Sequence, residues 1–319
     1  MMDLTRTGYR PNSETIQALK SLMAQKGSGA RALLVTGEAG TGKTALAEAI
    51  ADALEARERY HYVQLHSWTD GAKFFDYQSS AGASTLRRDS EKGFLTKVAE
   101  ASQQEGWTVA CLDEMDKVHE SFEALFLDWL QTGRVPGKPG EHLYTNLDRL
   151  LVLVTSNGMR EHTEPFMRRC RRLRMERMSH ALAVELLLSR TQTSEKACAL
   201  TVDLAHACER VDETVISLQE MTHFLNEARH VCRSLDDLKA ATVAWLMRRD
   251  EPENILRSFE VQRILPLLWA EIESLQEVPL ETDITLTETP LLSVSTPQGL
   301  APCEGLGSLQ RVCSLQEGD

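Results

Sequence analysis

The sequence predicts an α/β fold, a parallel sheet covered on both faces, followed by a smaller all-helical part. Three observations carry this expectation. Up to about Met178, short apolar runs of β-favouring residues alternate with longer amphipathic segments. Beyond Met178 the strand pattern stops and only helical periodicities continue. A glycine-rich loop lies directly between the first apolar run and the first strong helical pattern. Runs of four to six apolar residues separated by helices are the mark of parallel strands buried on both faces.

Taken in order, the expected strands are residues 32–36, 60–65, 108–112, 150–155 and 173–175. Helical patterns fill the gaps, for example over 43–56 and 94–103. Ser179 is placed to cap the helix HALAVELLLSRT, because its hydroxyl can accept from a free N–H of the first turn. Further helices are expected at 197–209, 217–232 and 235–248, and a last one over 252–276. The expected organisation is an α/β nucleotide-binding domain over 1–178, a helical lid domain over 179–250, a C-terminal helix over 251–277 and a tail over 278–319. The tail carries four of the ten prolines, six acids and one basic residue, Arg311, and reads as a disordered acidic segment.

Composition narrows the function classes. Hydrophobic residues make up 42% and charged residues 26%, values of an ordinary globular chain. The longest apolar stretches, such as 150–154, are far below the roughly 20 residues needed to span a bilayer. The N-terminus lacks the apolar core of a signal peptide, so a cytoplasmic protein is expected. A formal charge of −12 weighs against broad nucleic-acid binding. Cys111, Cys170, Cys198, Cys208, Cys232, Cys303 and Cys313 are odd in number and contain no C-x-x-C pair. Free thiols are the natural reading.

The sharpest signal is Gly37-x-x-x-x-Gly42-Lys43-Thr44, after an expected strand and before an expected helix. Glycines let successive N–H groups curl around a polyphosphate, and the helix N-terminus adds partial positive charge. The expected cradle is Gly37, Glu38, Ala39, Gly40, Thr41, Gly42, Lys43, Thr44 and Ala45. Lys43 would reach the β- and γ-phosphates, and the Thr44 hydroxyl would meet Mg²⁺. The apolar run before Asp113 and Glu114 puts a carboxylate at a neighbouring strand end. Asp113 is therefore expected to bind nucleotide and Mg²⁺, with Thr44 as the other metal candidate, and Glu114 to polarise the attacking water. Asn157 ends the next buried strand, where an amide can hydrogen-bond both the γ-phosphate and that water.

Six arginines then fall between Arg168 and Arg177, opposed only by Glu176. Such a run reads as a solvated basic face, a nucleic-acid patch, or a helix presenting a guanidinium to a neighbouring subunit's γ-phosphate. The third reading fits the position best, with either Arg168 or Arg169 as the finger, because the planar fork pairs bidentately with phosphate.

These elements in this order resemble the AAA+ ATPases over roughly residues 7–248. Within them the MoxR-like group is similar at Pro165–Cys170 and at the Ser-Leu-Gln-Glu-Met run from Ser217 to Met221. The resemblance implies a P-loop NTPase with a doubly wound five-stranded sheet of order 5-1-4-3-2, a small helical lid, and a ring of about six subunits with ATP bound between neighbours. It implies Walker A at Gly37–Thr44, Walker B at Asp113 and Glu114, sensor 1 at Asn157 and the finger at Arg168 or Arg169. Gln219 stands where many such proteins carry a sensor 2 arginine, so that role is not transferred. Arg229 or Arg210 would be the substitutes. The segment 66–88, with Trp68, Phe74, Phe75 and Tyr77, reads as a packed loop or as an insertion facing the pore or partner. The Gly/Pro-rich stretch 133–140 reads as a connection.

Three functions follow as expectations. The first is an ATP hydrolase that remodels or matures a protein partner in a chaperone-like role, for MoxR-like proteins a von Willebrand-type partner. The second is a nucleic-acid motor or restriction-type NTPase, similar to McrB-like AAA+ proteins. The third is a nucleotide-gated assembly switch. The acidic total favours the first over the second, and the presence of Glu114 and Asn157 argues against an inert scaffold.

Overall fold

All five expected apolar runs become strands, and helices carry the chain between them. The computed structural model describes residues 3–75 except 26 and 28, then 92–136, 142–248 and 252–276. In chain order the first part holds α1 (Ser13–Met23), β1 (Arg31–Thr36), α2 (Lys43–Ala53), β2 (Tyr60–Gln64), α3 (Phe94–Ser102), β3 (Thr108–Asp113) and α4 (Ala124–Thr132). A two-stranded antiparallel ribbon of β4 (Arg134–Pro136) and β5 (His142–Tyr144) follows. Then come β6 (Leu150–Ser156), α5 (Glu164–Met167) and β7 (Arg171–Arg174). The main sheet has the order β2-β3-β6-β1-β7 with every pair parallel. Counted by position among its five strands, this is the expected 5-1-4-3-2.

Strand burial follows from that order. The central strands β3 and β6 are buried along their whole length, and β1 at four of six positions. Leu33 and Val35 pack with Leu46 and Ile50 of α2 and with Leu19 and Leu22 of α1. Ala32 and Leu34 belong to the opposite core with Val98 of α3 and Phe126 and Trp129 of α4. Both faces being covered, the inner strands carry no polar alternation.

The fifth strand overlaps the expected 173–175 but starts two residues and ends one residue earlier, at Arg171–Arg174. Its register is set by β1, with Leu33 opposite Arg171 and Thr36 opposite Arg174. Only Leu173 is buried. An edge strand needs backbone pairing and one anchoring side chain, so Arg172 and Arg174 are tolerated at exposed positions, while Arg171 is half-buried against α1.

The second part holds α6 (His180–Arg190), α7 (Glu195–Asp212), α8 (Leu218–His230), α9 (Leu235–Leu246), α10 (Pro252–Leu256) and α11 (Phe259–Gln276). They share one core that includes Leu187, Val202, Phe224, Leu225, Leu238 and Leu268. Ser179, Ser194, Ser217 and Ser234 cap α6, α7, α8 and α9, each accepting an N–H three residues on. Ser217 and Glu220 form a reciprocal capping box. The single helix expected over 252–276 is two. At the break, Ser258 N–H bonds Ile255 O three residues back, and Gln262 N–H restarts the ladder on Ser258 O.

The chain from Met1 to Val278 forms one compact unit. No helix among the described residues is long and apolar enough to cross a membrane. The five described cysteines are free and buried. Of the segment 66–88, the part up to Phe75 is described. Phe74 is buried, its ring edge-on to Phe94, Phe122 and Phe126, so it belongs to the core; Trp68 is exposed and lies against His66. Tyr77, the rest of that segment, residues 137–141 and the expected acidic tail lie outside the described residues.

Candidate functional site

The C-terminal ends of β1, β3 and β6 meet where the glycine-rich loop turns into α2. Gly42 has φ +88° and opens α2, a conformation that side chains with a Cβ rarely adopt. A Cβ on Gly37 would lie 2.4 Å from the Met175 carbonyl oxygen, a backbone atom that cannot yield. The Gly37 N–H bonds the carbonyl of Ser156, tying the loop to the end of β6.

Inside this turn the Lys43 ammonium is buried and donates to the carbonyls of Gly37 (2.8 Å) and Glu38 (2.6 Å). Burial holds its pKa below the ordinary lysine value, although Asp116, Asp113, Glu114 and Glu38 pull the other way. Three hydroxyls converge on Asp113. Thr44 and Thr155 donate to Oδ1 at 3.0 and 2.5 Å, and Tyr62 donates to Oδ2 at 2.8 Å.

Glu114 sits in the left-handed region at φ +61°, a strained conformation for a residue with a Cβ. Its N–H bonds Thr155 Oγ1 at 2.9 Å. Its carboxylate accepts from Gln64 Nε2 and from Lys117 Nζ, both at 2.7 Å, with Asn157 Nδ2 at 3.5 Å. Burial pushes the Glu114 pKa up, but the Lys117 and Gln64 donors outweigh it and hold the group below the usual carboxylate value. Asp116 accepts the backbone N–H groups of Asn157 and Met159, each at 3.0 Å, and so fixes the turn that carries Asn157.

These groups open onto one cavity of about 730 Å³. Its lining includes the loop from Ala39 to Ala45, with Asp113, Glu114, Thr155 and Asn157. The N-terminal Thr7–Arg10, the connection Met175–Ser179, Leu182, Leu186 and Arg190 of α6, and Ser217–Gln219 at the start of α8 also contribute, with parts of α1 and α2. Gly37 and Glu38 stay behind the lining, supplying carbonyls to Lys43. Every other residue expected to bind nucleotide or metal lines the cavity.

Arg168 and Arg169 do not line it. Arg168 is exposed and pairs with Glu164 one turn earlier. Arg169 donates to the Pro165 carbonyl at 2.8 Å. The short helix α5 before them is anchored by a buried network around Glu123. Its side chain is fully buried and accepts from Arg160 NH1 (2.7 Å), His162 Nδ1 (2.7 Å), and the Thr163 N–H (2.8 Å) and Oγ1 (2.6 Å). Burial alone would raise the Glu123 pKa, but these donors hold it down at about 2. Arg160 also donates to the carbonyls of Met115 and Val118, just after Glu114.

Sequence reasoning missed Tyr62, Gln64, Asp116, Lys117 and Thr155. Gln64, Asp116, Lys117 and Thr155 share a signal, a polar residue near or just beyond a strand end beside Asp113 or Glu114, whereas Tyr62 lies in the middle of β2 and gives none. It missed the Glu123 network because nothing local links positions nearly 40 residues apart. Gln219 reaches the cavity, whereas Arg229 and Arg210 do not line it, and Arg210 pairs with Glu260. The lining arginines are Arg10, Arg177 and Arg190.

A doubly wound parallel sheet with this loop at its switch point defines a nucleotide-binding P-loop fold. Residues 13–257 match the AAA ATPase domain, and the chain belongs to that family. It is 27% identical over 152 residues to the chaperone protein ClpB of Yersinia enterocolitica, a match covering 46% of this chain and 16% of that one. The structure of the S. cerevisiae Hsp104-ADP complex superposes with a TM-score of 0.45 and 18% identity, covering 56% of this chain and 35% of that one. The chain thus spans well under half the length of either relative.

Proposed function

We propose that this chain hydrolyses ATP within a ring of like subunits and uses the cycle to remodel a protein partner, as a MoxR-like ATPase would. The observation carrying this reading is the convergence of Lys43, the Thr44–Asp113 pair, Glu114 and Asn157 on one cavity, while Arg168 and Arg169 stand outside it. Arg168 and Arg169 lie away from their own chain's cavity, so as fingers they would act on a neighbour's.

Lys43 is poised for the exchange that binding requires. Its charge is already desolvated and its hydrogen bonds go to backbone carbonyls, so phosphate oxygens would replace neutral hydrogen-bond partners with anionic ones. The oxygen donors Thr44 and Asp113, 3.0 Å apart, suit Mg²⁺, which prefers hard oxygen ligands and takes the rest from phosphates and water. When bound, Mg²⁺ would neutralise charge on the β- and γ-phosphates. Glu114, held ionised by Lys117 and Gln64, would accept a proton from the attacking water, which Asn157 would help to orient. A guanidinium from Arg168 or Arg169 of the next subunit would stabilise the charge on the transferred phosphoryl group.

Isolation of the Glu114→Gln variant with ATP tests the role. Hydrolysis should fall while binding and assembly persist, and a protein partner, for example one with a von Willebrand-type domain, should co-purify. Retention of DNA in place of protein would overturn the protein-remodelling reading and support the nucleic-acid motor.

A further inference from the structure

The last arginine of the run, Arg177, behaves unlike the others. It lies in the connection between the sheet and the helical layer. Upstream, Met175 N–H bonds Thr36 O at 2.7 Å and belongs to the sheet edge. Downstream, Ser179 caps α6. Between these two anchored points the Arg177 guanidinium holds two carboxylates. Nε donates to Glu38 Oε2 at 2.6 Å and NH1 to Glu209 Oε2 at 3.2 Å.

Each partner belongs to a different machine part. Glu38 is the second residue of the phosphate loop, and its carbonyl accepts from Lys43. Glu209 is on α7 with its side chain only 10% exposed. Its other oxygen accepts the Ile216 N–H at 2.7 Å, one residue before the cap of α8. That cap, Ser217, packs so closely on the loop that a Cβ on Gly40 would lie 3.0 Å from the Ser217 Cβ. One cation therefore joins the phosphate loop to the corner between α7 and α8.

The two pairs differ in how firmly they hold. Arg177 is half exposed and Glu38 is 58% exposed, so this pair is solvated and cheap to exchange. Glu209 is enclosed, and its second oxygen is committed to backbone. Arg177 lines the cavity, whereas Glu38 does not. Polyphosphate in the cavity would present anionic oxygens to a guanidinium that lines it, and arginine favours such oxygens bidentately.

We propose that Arg177 is a switching arginine: the nucleotide's phosphate oxygens displace Glu38 from its guanidinium, while Glu209 keeps its hold. Phosphate binding is thereby passed to the α7–α8 corner of the helical layer. The inference rests on the nucleotide-site reading and adds to it a residue and a direction of coupling. In this scheme Glu38 is a competitor of the phosphates, although it belongs to the phosphate loop.

The competition predicts opposite signs for two neighbouring substitutions. Titration of each variant with a fluorescent ATP analogue and Mg²⁺ measures Kd, and hydrogen–deuterium exchange with and without ATP reads residues 209–219. Arg177→Gln should weaken binding about tenfold or more, the loss of a charge-assisted pair. Arg177→Lys should recover only part, lacking the fork. Glu38→Gln should tighten binding by roughly threefold, having removed the competitor. Glu209→Gln should bind ATP but lose the nucleotide-dependent protection at 209–219. If wild type binds no nucleotide, the site reading itself fails. If wild type binds, and Glu38→Gln weakens binding or leaves it unchanged, the exchange is overturned with the site reading intact. Wild-type protection in Glu209→Gln would likewise overturn the coupling. Glu38 is exposed and its substitution isosteric, so that variant decides the matter even if Arg177→Gln is poorly folded.

Discussion

The phosphate loop and the arginine run are of similar length and equally rich in chemistry, yet they are organised in opposite ways. In the loop the main features are local: Gly42 opens a helix and Lys43 is held by two carbonyls within six residues of itself, while Gly37 is confined from outside by the Met175 carbonyl. In the arginine run six identical side chains have unrelated surroundings. Arg168 meets Glu164 and Arg169 the Pro165 carbonyl, whereas Arg171 donates to Ala18 of α1. Arg172 and Arg174 are exposed on the edge strand, and Arg177 bridges Glu38 and Glu209. A motif whose function is backbone geometry carries its meaning with it, whereas a repeated side chain acquires meaning from what the fold places beside it.

The largest effect that would break this comparison concerns the first two arginines. An Arg168→Ala/Arg169→Ala chain should bind ATP yet lose about 10³-fold or more in turnover. Mixed with a Lys43→Ala chain, which keeps its arginines, it should regain part of the activity in a concentration-dependent way, once subunit exchange is verified. Absence of recovery in proven mixed oligomers would place the arginines within their own chain, making the run as local as the loop.

Next in size are single changes at the loop and its strand ends. Glu114→Gln should cost about 10²–10⁴-fold in turnover with binding intact. Lys43→Ala should instead weaken nucleotide binding by about tenfold to a hundredfold, from the lost charge-assisted bonds. Equal effects of both variants on Kd, measured by titration, would show that the two residues do not divide binding from chemistry.

A third prediction concerns stability. The Glu123 pKa is lowered from an ordinary 4.5 to about 2 in the folded protein. A depressed folded value means that this contribution is fully present above the unfolded value and is lost as pH falls toward 2. Urea midpoints should therefore drop between about pH 5 and pH 2, a trend reduced in Glu123→Gln. That variant should also lose about 3–5 kcal/mol at neutral pH, because Arg160 is left without its buried partner. A midpoint unaffected by the substitution would remove the network as the anchor of α5.

The smallest effect sharpens the role of Glu114. Lys117→Ala removes a donor that holds its pKa down, so the pKa should rise toward the ordinary value. The acid limb of the kcat/KM profile should then shift to higher pH, with the alkaline limb unmoved. An unshifted acid limb would mean that another group limits the rate there.

Much of the α/β architecture was legible because buried parallel strands must be continuous apolar runs. Residues 32–36, 108–112 and 150–155 carry no polar alternation, and each lies within its strand to one or two residues. The start of the edge strand is not legible two residues before Leu173, because Leu173 is its only buried side chain and backbone pairing to β1 leaves no apolar signature in Arg-Arg-Leu-Arg. The break at Ser258 was missed for a similar reason, since the switch from a four-residue to a three-residue hydrogen bond leaves apolar spacing intact.

The sequence alone determined the loop expected to hold phosphate: its glycines and Lys43 work through dihedral angles and hydrogen bonds spanning a few positions, which chain order dictates. Asp113, Glu114 and Asn157 could be added because each lies at or just beyond a strand end, and parallel strands end on the same side of a sheet. Tertiary structure alone decided that Tyr62 and Thr155 hold Asp113, that Glu123 anchors the helix before the arginines, and that Arg177 faces both Glu38 and Glu209. These pairings join residues 32 to 139 positions apart. A charged side chain's partner is chosen by distance in space, and that distance exists only after the sheet order and the packing of the helical layer have set it.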